Sequence, residues 1–84
     1  MDITVYTRRG CGFAQGLFGF INALGVPHRV VNIDLDPQAM ERIKALGERT
    51  DTPFVDFGDG HIVKQPTNQD VLQRLKEANA IPPA

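Results

Sequence analysis

The feature that most constrains the fold is a strand pattern that passes at once into a helix pattern and then into a second strand. β-Branched and aromatic residues predict a first strand over Ile3–Thr7, and apolar residues at three- and four-residue steps predict a helix from Cys11 to Gly25. A nearly continuous apolar run predicts a second, buried strand over Arg29–Asp34. Two strands joined through a helix in this way lie parallel, with a right-handed crossover between them.

A second helix is predicted after this unit, between residues that are typical of helix ends. Asp36 is a favourable N-cap, Pro37 suits the first helical position, and Gly47 is a typical terminator. The predicted buried face of this helix consists of apolar residues at helical spacing: Ala39, Met40, Ile43 and Leu46.

The last third of the chain predicts a β-hairpin followed by a third helix. The runs Phe54–Phe57 and His61–Val63 flank the segment Gly58–Gly60, which is typical of a hairpin turn. Thr67 and Asp70 then form an acidic variant of the capping box at a helix start. The predicted buried face of this last helix consists of Val71, Leu72, Leu75 and Ala78.

The element order β-α-β-α-β-β-α predicts an α/β fold, with a four-stranded mixed sheet covered on both faces by three helices. The length of 84 residues suits one domain, predicted over residues 1–84, in which residues 78–84 form a frayed tail. A net charge of −1, with no basic cluster longer than Arg8-Arg9, predicts no nucleic-acid partner. No apolar run approaches the ~20 residues of a membrane span, and the N-terminus lacks a signal-peptide pattern, so we expect no membrane association.

Cys11 is the only cysteine, and the predicted fold places it where the first strand passes into the first helix. Since one cysteine excludes an internal disulfide, we expect a cytoplasmic protein, and its size suits a monomer. The helix dipole and the preceding Arg8 and Arg9 favour the thiolate, which is the nucleophile in disulfide exchange. No acidic residue lies between Asp2 and Asp34, so these surroundings are mildly positive. The alternative for a lone cysteine is a small buried hydrophobe.

Three glycines lie within the first predicted helix: Gly12, Gly16 and Gly19. Each is unfavourable there by up to ~1 kcal/mol relative to alanine, so a compensating reason is expected. Two interpretations are open. We favour close packing of the helix against the sheet, and the other is a narrow surface that a ligand or a partner backbone approaches.

The chain resembles glutaredoxins, which have a thioredoxin-like fold. The resemblance covers roughly residues 2 to 79 and rests on four segments: the strand Ile3–Thr7, the loop Arg8–Gly10, the helix start Cys11–Phe13, and Thr52-Pro53 before a hairpin. The last third, from Pro53 through Pro66 into the last helix, is most similar to the short actinobacterial mycoredoxins. Those relatives serve mycothiol in place of glutathione.

Two departures from the family pattern bear on the mechanism. Glutaredoxins usually carry a second cysteine at the position of Ala14, and many carry a Gly-Gly pair where this chain has Val63–Thr67. Ala14 is either natural or an engineered replacement, and in both cases only a monothiol mechanism remains. The segment Cys11–Ala14 is also similar to the Cys-Gly-Phe-Ser motif of monothiol glutaredoxins that handle iron–sulfur clusters. The longer loop and the Trp-Pro element of those proteins are missing here.

The resemblance implies a thiol-disulfide oxidoreductase of cell redox homeostasis and electron transport. Its nucleophile Cys11 would act on mixed disulfides between proteins and a low-molecular-weight thiol. Glutathione or mycothiol would be the cosubstrate, thiolated proteins the partners, and no cofactor would be bound permanently. Two alternatives stay open. One is a carrier of a [2Fe–2S] cluster ligated by Cys11 of two subunits and two small thiols, and the other is a catalytically inert binding module.

The resemblance also implies roles for residues around the nucleophile. Thr52 and Pro53 would form the loop opposite Cys11, with a cis peptide bond before the proline. The residues implied in binding the small thiol are Arg8, Phe13, Thr52, Pro53, Thr67 and Asn68. Those implied in stabilising the thiolate are Arg8, Arg9 and Gly12.

Some of the side chains near these positions also have a purely structural interpretation. Phe13 fits core packing as well as a ligand cover, and helix capping explains Thr67 equally well. Tyr6 is predicted to lie in the core. We expect His28 and His61 at the surface, since they have no metal-ligand spacing, and no metal site is predicted.

Overall fold

The order of strands and helices is the one predicted from the sequence. The computed structural model describes residues 2–47, 52–60 and 62–79. The elements are β1 (Ile3–Thr7), α1 (Gly12–Ala23), β2 (His28–Asn32), α2 (Pro37–Lys44), β3 (Phe54–Asp56), β4 (Ile62–Lys64) and α3 (Asn68–Glu77). Of the predicted frayed tail, residues 80–84 lie outside the described residues, as does His61.

The described strands form one four-stranded mixed sheet in the order β2-β1-β3-β4. β1 is parallel to β2, which confirms the predicted parallel pair, and it is antiparallel to β3. β3 and β4 pair antiparallel as the predicted hairpin, with Gly58 and Gly60 at positive φ in the turn. The carboxyl ends of β1 and β2 therefore meet at one edge of the sheet, where α1 begins.

The prediction of β2 as a buried strand is wrong. The strand runs over His28–Asn32 and lies at the edge of the sheet, where β1 is its one neighbour among the described strands. Val30 stands in register with Val5, which is fully buried, yet 45% of Val30 is exposed. An apolar run indicates burial only if helices cover both faces, and here the covering helices do not extend fully over the edge strand.

The core consists of two clusters, one on each face of the sheet. α1 and α3 cover the first face, and the buried members of that cluster are Ile3, Val5, Leu17, Ile21, Val26, Val55, Phe57, Val71 and Leu75. α2 covers the second, and the buried members there are Tyr6, Ile33, Ala39, Ile43 and Phe54. The expected arrangement of helices on both faces is therefore confirmed.

The capping predictions are confirmed at the helix starts, and the predicted helix ends need correction. Asp36 accepts a hydrogen bond from the main-chain N–H of Ala39 (3.1 Å), as an N-cap does. α2 ends at Lys44, before the predicted stop at Gly47. Leu46 therefore lies beyond the helix and is 52% exposed, although it was predicted on the buried face. Ala78, also predicted to be buried, is the exposed C-cap of α3.

Tyr6 lies in the core as predicted, and its hydroxyl still has a partner. Arg42 on α2 donates to this hydroxyl at 3.0 Å, and the hydrogen bond raises the pKa of Arg42. His28, which was expected at the surface, is half-buried, and its Nδ1 lies 3.0 Å from the carbonyl oxygen of Val26. Among the helices in the described ranges, none has the length and apolarity of a transmembrane segment.

Candidate functional site

Cys11 lies at the junction between β1 and α1, as the sequence predicted. The loop turns at Gly10, whose φ of +79° suits glycine, and the main-chain N–H of Cys11 donates to the carbonyl of Arg8 at 3.2 Å. Cys11 is then the N-cap of α1, without a side-chain capping bond. It is half-buried and belongs to neither core cluster, so the alternative of a small buried hydrophobe does not describe it.

The loop of Thr52 and Pro53 faces Cys11, and the peptide bond between them is cis, as the resemblance implied. The Sγ atom of Cys11 lies 3.5 Å from the carbonyl oxygen of Thr52, to which the thiol donates a weak hydrogen bond. The fold thus brings together a cysteine and a loop that are 41 residues apart in the chain.

A groove of about 540 Å³ lies beside this pair. It is lined by Gly12, Phe13, Gly16, Leu17, Thr52, Pro53, Gln65, Pro66, Thr67 and Asn68. Six of these were site predictions, whereas Gly16, Leu17, Gln65 and Pro66 were not. Among the described residues that line the groove, none carries a formal charge.

The glycines of α1 form an open face rather than a packed one. Apart from the adjacent residues and the nearby backbone of α1 itself, no heavy atom lies within 4 Å of the position that a Cβ would take at Gly12, Gly16 or Gly19. Our preferred interpretation, close packing against the sheet, is therefore wrong. Gly12 and Gly16 line the groove, which agrees with the other interpretation of a surface that a ligand approaches.

Phe13 and Ala14 are neighbours with opposite environments. Phe13 is 85% exposed and lines the groove, so it does not pack in the core. Ala14 is fully buried, in the first turn of α1. A sulfur at residue 14 would accordingly lie on the inner side of the helix, three residues beyond Cys11.

Arg8 lies outside the groove lining and contacts Asp34, two residues beyond the end of β2. Its Nη2 is 2.8 Å from Oδ1 of Asp34, and its Nε donates to Oδ2 at 3.2 Å. This two-point geometry is the favourable one for arginine and a carboxylate. The sequence has no acidic residue between Asp2 and Asp34, but the fold brings the Asp34 carboxylate next to the loop that precedes Cys11. Arg9 is exposed in the same loop.

Thr67 and Asn68 lie where α3 begins beside the groove. The Thr67 hydroxyl accepts from the main-chain N–H of Asp70 at 3.0 Å, and the Asp70 carboxylate accepts from the N–H of Thr67 at 2.9 Å. The predicted capping box is therefore confirmed, and capping occupies the Thr67 side chain. Within the described ranges, no three His, Cys, Asp or Glu side chains gather as a metal-binding group.

Comparison with known proteins agrees with this geometry. A family model described as Glutaredoxin matches residues 3–62. The chain is 36% identical over 59 residues to the glutaredoxin-like protein NrdH of Salmonella typhimurium (strain LT2). The aligned segment covers 70% of this chain and 72% of that protein. It also superposes on NrdH-redoxin from Escherichia coli, a glutaredoxin-like protein with a thioredoxin-like activity profile. That match has a TM-score of 0.77 at 30% identity and covers 100% and 99% of the two chains. The thioredoxin-like fold is confirmed.

Proposed function

Because the chain belongs to the glutaredoxin family of thiol oxidoreductases, we propose that it exchanges disulfides by a monothiol mechanism through Cys11. The observation that carries this proposal is the position of Sγ: half-buried, 3.5 Å from the carbonyl oxygen of Thr52, next to an open groove. With alanine at residue 14, the chain holds no second thiol, so an external thiol completes the cycle.

The proposed cycle has two exchange steps. The Cys11 thiolate attacks the small-thiol sulfur of a protein mixed disulfide, so that a bond forms between Cys11 and the small thiol. The protein sulfur leaves with the electron pair of the broken bond and takes up a proton. The thiolate of a second small thiol then attacks the small-thiol sulfur of the adduct. This step releases the oxidised small thiol and restores the Cys11 thiolate.

We propose that the cosubstrate is an uncharged small thiol such as mycothiol rather than glutathione. Glutathione carries two carboxylates, and burying a carboxylate without a partner is costly. The described lining of the groove offers main-chain and neutral side-chain groups only, while the guanidinium of Arg8 is held by Asp34. Mycothiol is a glycoside without carboxylates, and the sequence resemblance of the last third to mycoredoxins favours the same choice. Exposed Phe13 would cover the bound thiol.

Intact mass spectrometry tests the proposed function directly. After brief incubation with mycothione, glutathione disulfide or bacillithiol disulfide, we expect a single adduct that dithiothreitol removes. Mycothione is expected to react roughly five-fold faster than glutathione disulfide, which corresponds to about 1 kcal/mol, the size of one unmade hydrogen bond. If no disulfide forms an adduct, the chain is an inert module. If glutathione disulfide reacts fastest, the preference for an uncharged thiol is wrong.

Replacing Asp34 with asparagine is expected to raise the adduct rate with glutathione disulfide roughly two- to five-fold and to leave the rate with mycothione unchanged. The substitution releases Arg8 from the carboxylate, and an exposed arginine contributes about this much to binding an anion. The double variant Asp34→Asn with Arg8→Ala is the matched control and is expected to lose the gain. An equal gain with both disulfides would contradict an electrostatic role for Asp34.

A second candidate is direct exchange with protein disulfides. The large exposed face of Phe13 at the groove favours a polypeptide partner, and the NrdH-redoxin of Escherichia coli has a thioredoxin-like activity profile. Lacking a second cysteine, this chain would stop at a mixed disulfide with the partner until an external thiol resolved it. In either case we propose that the protein acts as a monomer in the reducing cytoplasm, without a permanently bound cofactor.

A further inference from the structure

Gln65 has an unusual backbone conformation at the edge of the groove. Its φ is +46°, in the left-handed region that residues other than glycine adopt uncommonly. The main-chain N–H of Gln65 donates to the carbonyl of Pro53 at 2.7 Å, which joins the segment after β4 to the loop opposite Cys11. This conformation at a contact with the loop opposite Cys11 makes the Gln65 side chain a candidate for a functional role.

The side chain of Gln65 contacts the same atom as the nucleophile. Its Nε2 donates to the carbonyl oxygen of Thr52 at 3.4 Å, and the Cys11 thiol donates to that oxygen at 3.5 Å. Thr52 as a residue is only 8% exposed, and the structure gives its carbonyl oxygen these two protein donors. One carbonyl therefore has two donors when Cys11 is protonated.

The two donors differ in what happens during exchange. When Cys11 loses its proton to solvent or takes up a small thiol, its S–H donor disappears, whereas the carboxamide of Gln65 remains. Without that carboxamide, the Thr52 carbonyl oxygen would have lost both donors. Its partial negative charge would then face the thiolate and disfavour it. The charged groups nearest in the chain to Cys11 are Arg8 and Arg9, and the described groove lining adds none. The neutral carboxamide of Gln65 is therefore placed to donate a hydrogen bond to the Thr52 carbonyl oxygen in both states of Cys11.

We propose that Gln65 is a positioning residue that keeps the Thr52 carbonyl hydrogen-bonded while Cys11 is ionised or thiolated, and so favours the reactive state of the thiol. This inference rests on the proposed exchange function of Cys11. It extends that function by assigning a role to the side chain of Gln65. In the sequence, this residue belongs to the segment Val63–Thr67, where many glutaredoxins carry a Gly-Gly pair.

The test compares Gln65→Gly, Gln65→Asn and Gln65→Glu in the full chain. The readout is the rate of Cys11 alkylation by iodoacetamide between pH 5 and 9, together with thermal unfolding. Glycine suits the positive φ and removes the amide, so we expect a higher Tm but a roughly five-fold slower reaction at neutral pH, with the profile displaced to higher pH. Asparagine also tolerates this φ, but it is one methylene shorter and is expected to behave like glycine.

Glutamate has the size of glutamine but cannot donate when ionised, so we expect it to slow alkylation more than glycine does. Gln38→Glu, on the exposed side of α2, is the control for added negative charge and is expected to match the wild type. If the wild type forms adducts and all three Gln65 variants keep its rate and pH profile, the positioning role is overturned and the exchange function stands. If the wild type forms no adduct, the exchange function itself fails. Should Gln65→Glu not fold, the glycine variant decides.

Discussion

Replacing Cys11 with serine is expected to abolish release of a small thiol from protein mixed disulfides while leaving the fold intact. The hydroxyl of serine is not ionised near neutral pH and does not form the sulfur–sulfur bond that each exchange step requires. Serine is also among the best N-cap residues, and Cys11 makes no side-chain capping bond at the start of α1. We therefore expect stability to stay unchanged or to rise by up to about 1 kcal/mol.

Activity and stability are measured separately for this variant. Turnover is followed on a glutathionylated or mycothiolated protein in the presence of excess small thiol, and stability by urea unfolding. The expected result is the uncatalysed background rate with an unchanged unfolding transition. Residual turnover above background would show that another group performs the exchange. A wild-type chain that itself shows only background would instead support the inert-module alternative.

The order of elements could be predicted because its signals are local. The capping residue Asp36, the capping box of Thr67 and Asp70, and the alternation in Ile3–Thr7 each act within a few residues of the structure that they specify. Sheet order is not local. Whether β2 lies inside the sheet or at its edge depends on where β3 pairs, so the apolar run in β2 was misread as burial.

Apart from the position of Cys11, the site could be predicted only where the family resemblance supplied the residue that faces it. The position of Cys11 follows from the sequence pattern, but the cis bond at Pro53 was implied by the family alone. The contact of Arg8 with Asp34 joins residues 26 apart, and a list of charges along the chain does not reveal it. Gln65 was missed because neither its positive φ nor its reach to Thr52 has a sequence signal other than the replaced Gly-Gly pair.

Introducing a second cysteine at residue 14 is expected to convert the chain into a dithiol enzyme. Ala14 lies three residues after Cys11 in the first turn of α1, and residues at this spacing in a helix fall within the Cα separation that a disulfide needs. Ala14→Cys is expected to form an internal disulfide on mild oxidation, seen as the loss of two hydrogens in the intact mass. Because Ala14 is fully buried, the added sulfur is also expected to destabilise the reduced protein by about 1–3 kcal/mol.

The kinetic consequence of this variant is larger than its effect on stability. Attack by a sulfur within the same chain has a far higher effective concentration than attack by an external thiol. Catalysed reduction of insulin disulfides by dithiothreitol is therefore expected to rise roughly ten-fold or more over the wild type, and the small-thiol adduct of Cys11 is expected to stop accumulating. Ala14→Ser is the matched control, since it adds a polar atom at the same buried position without a sulfur. If Ala14→Cys forms no internal disulfide, the predicted dithiol mechanism is wrong. If the serine variant shows the same gain, the gain comes from the change at a buried position and not from a second thiol.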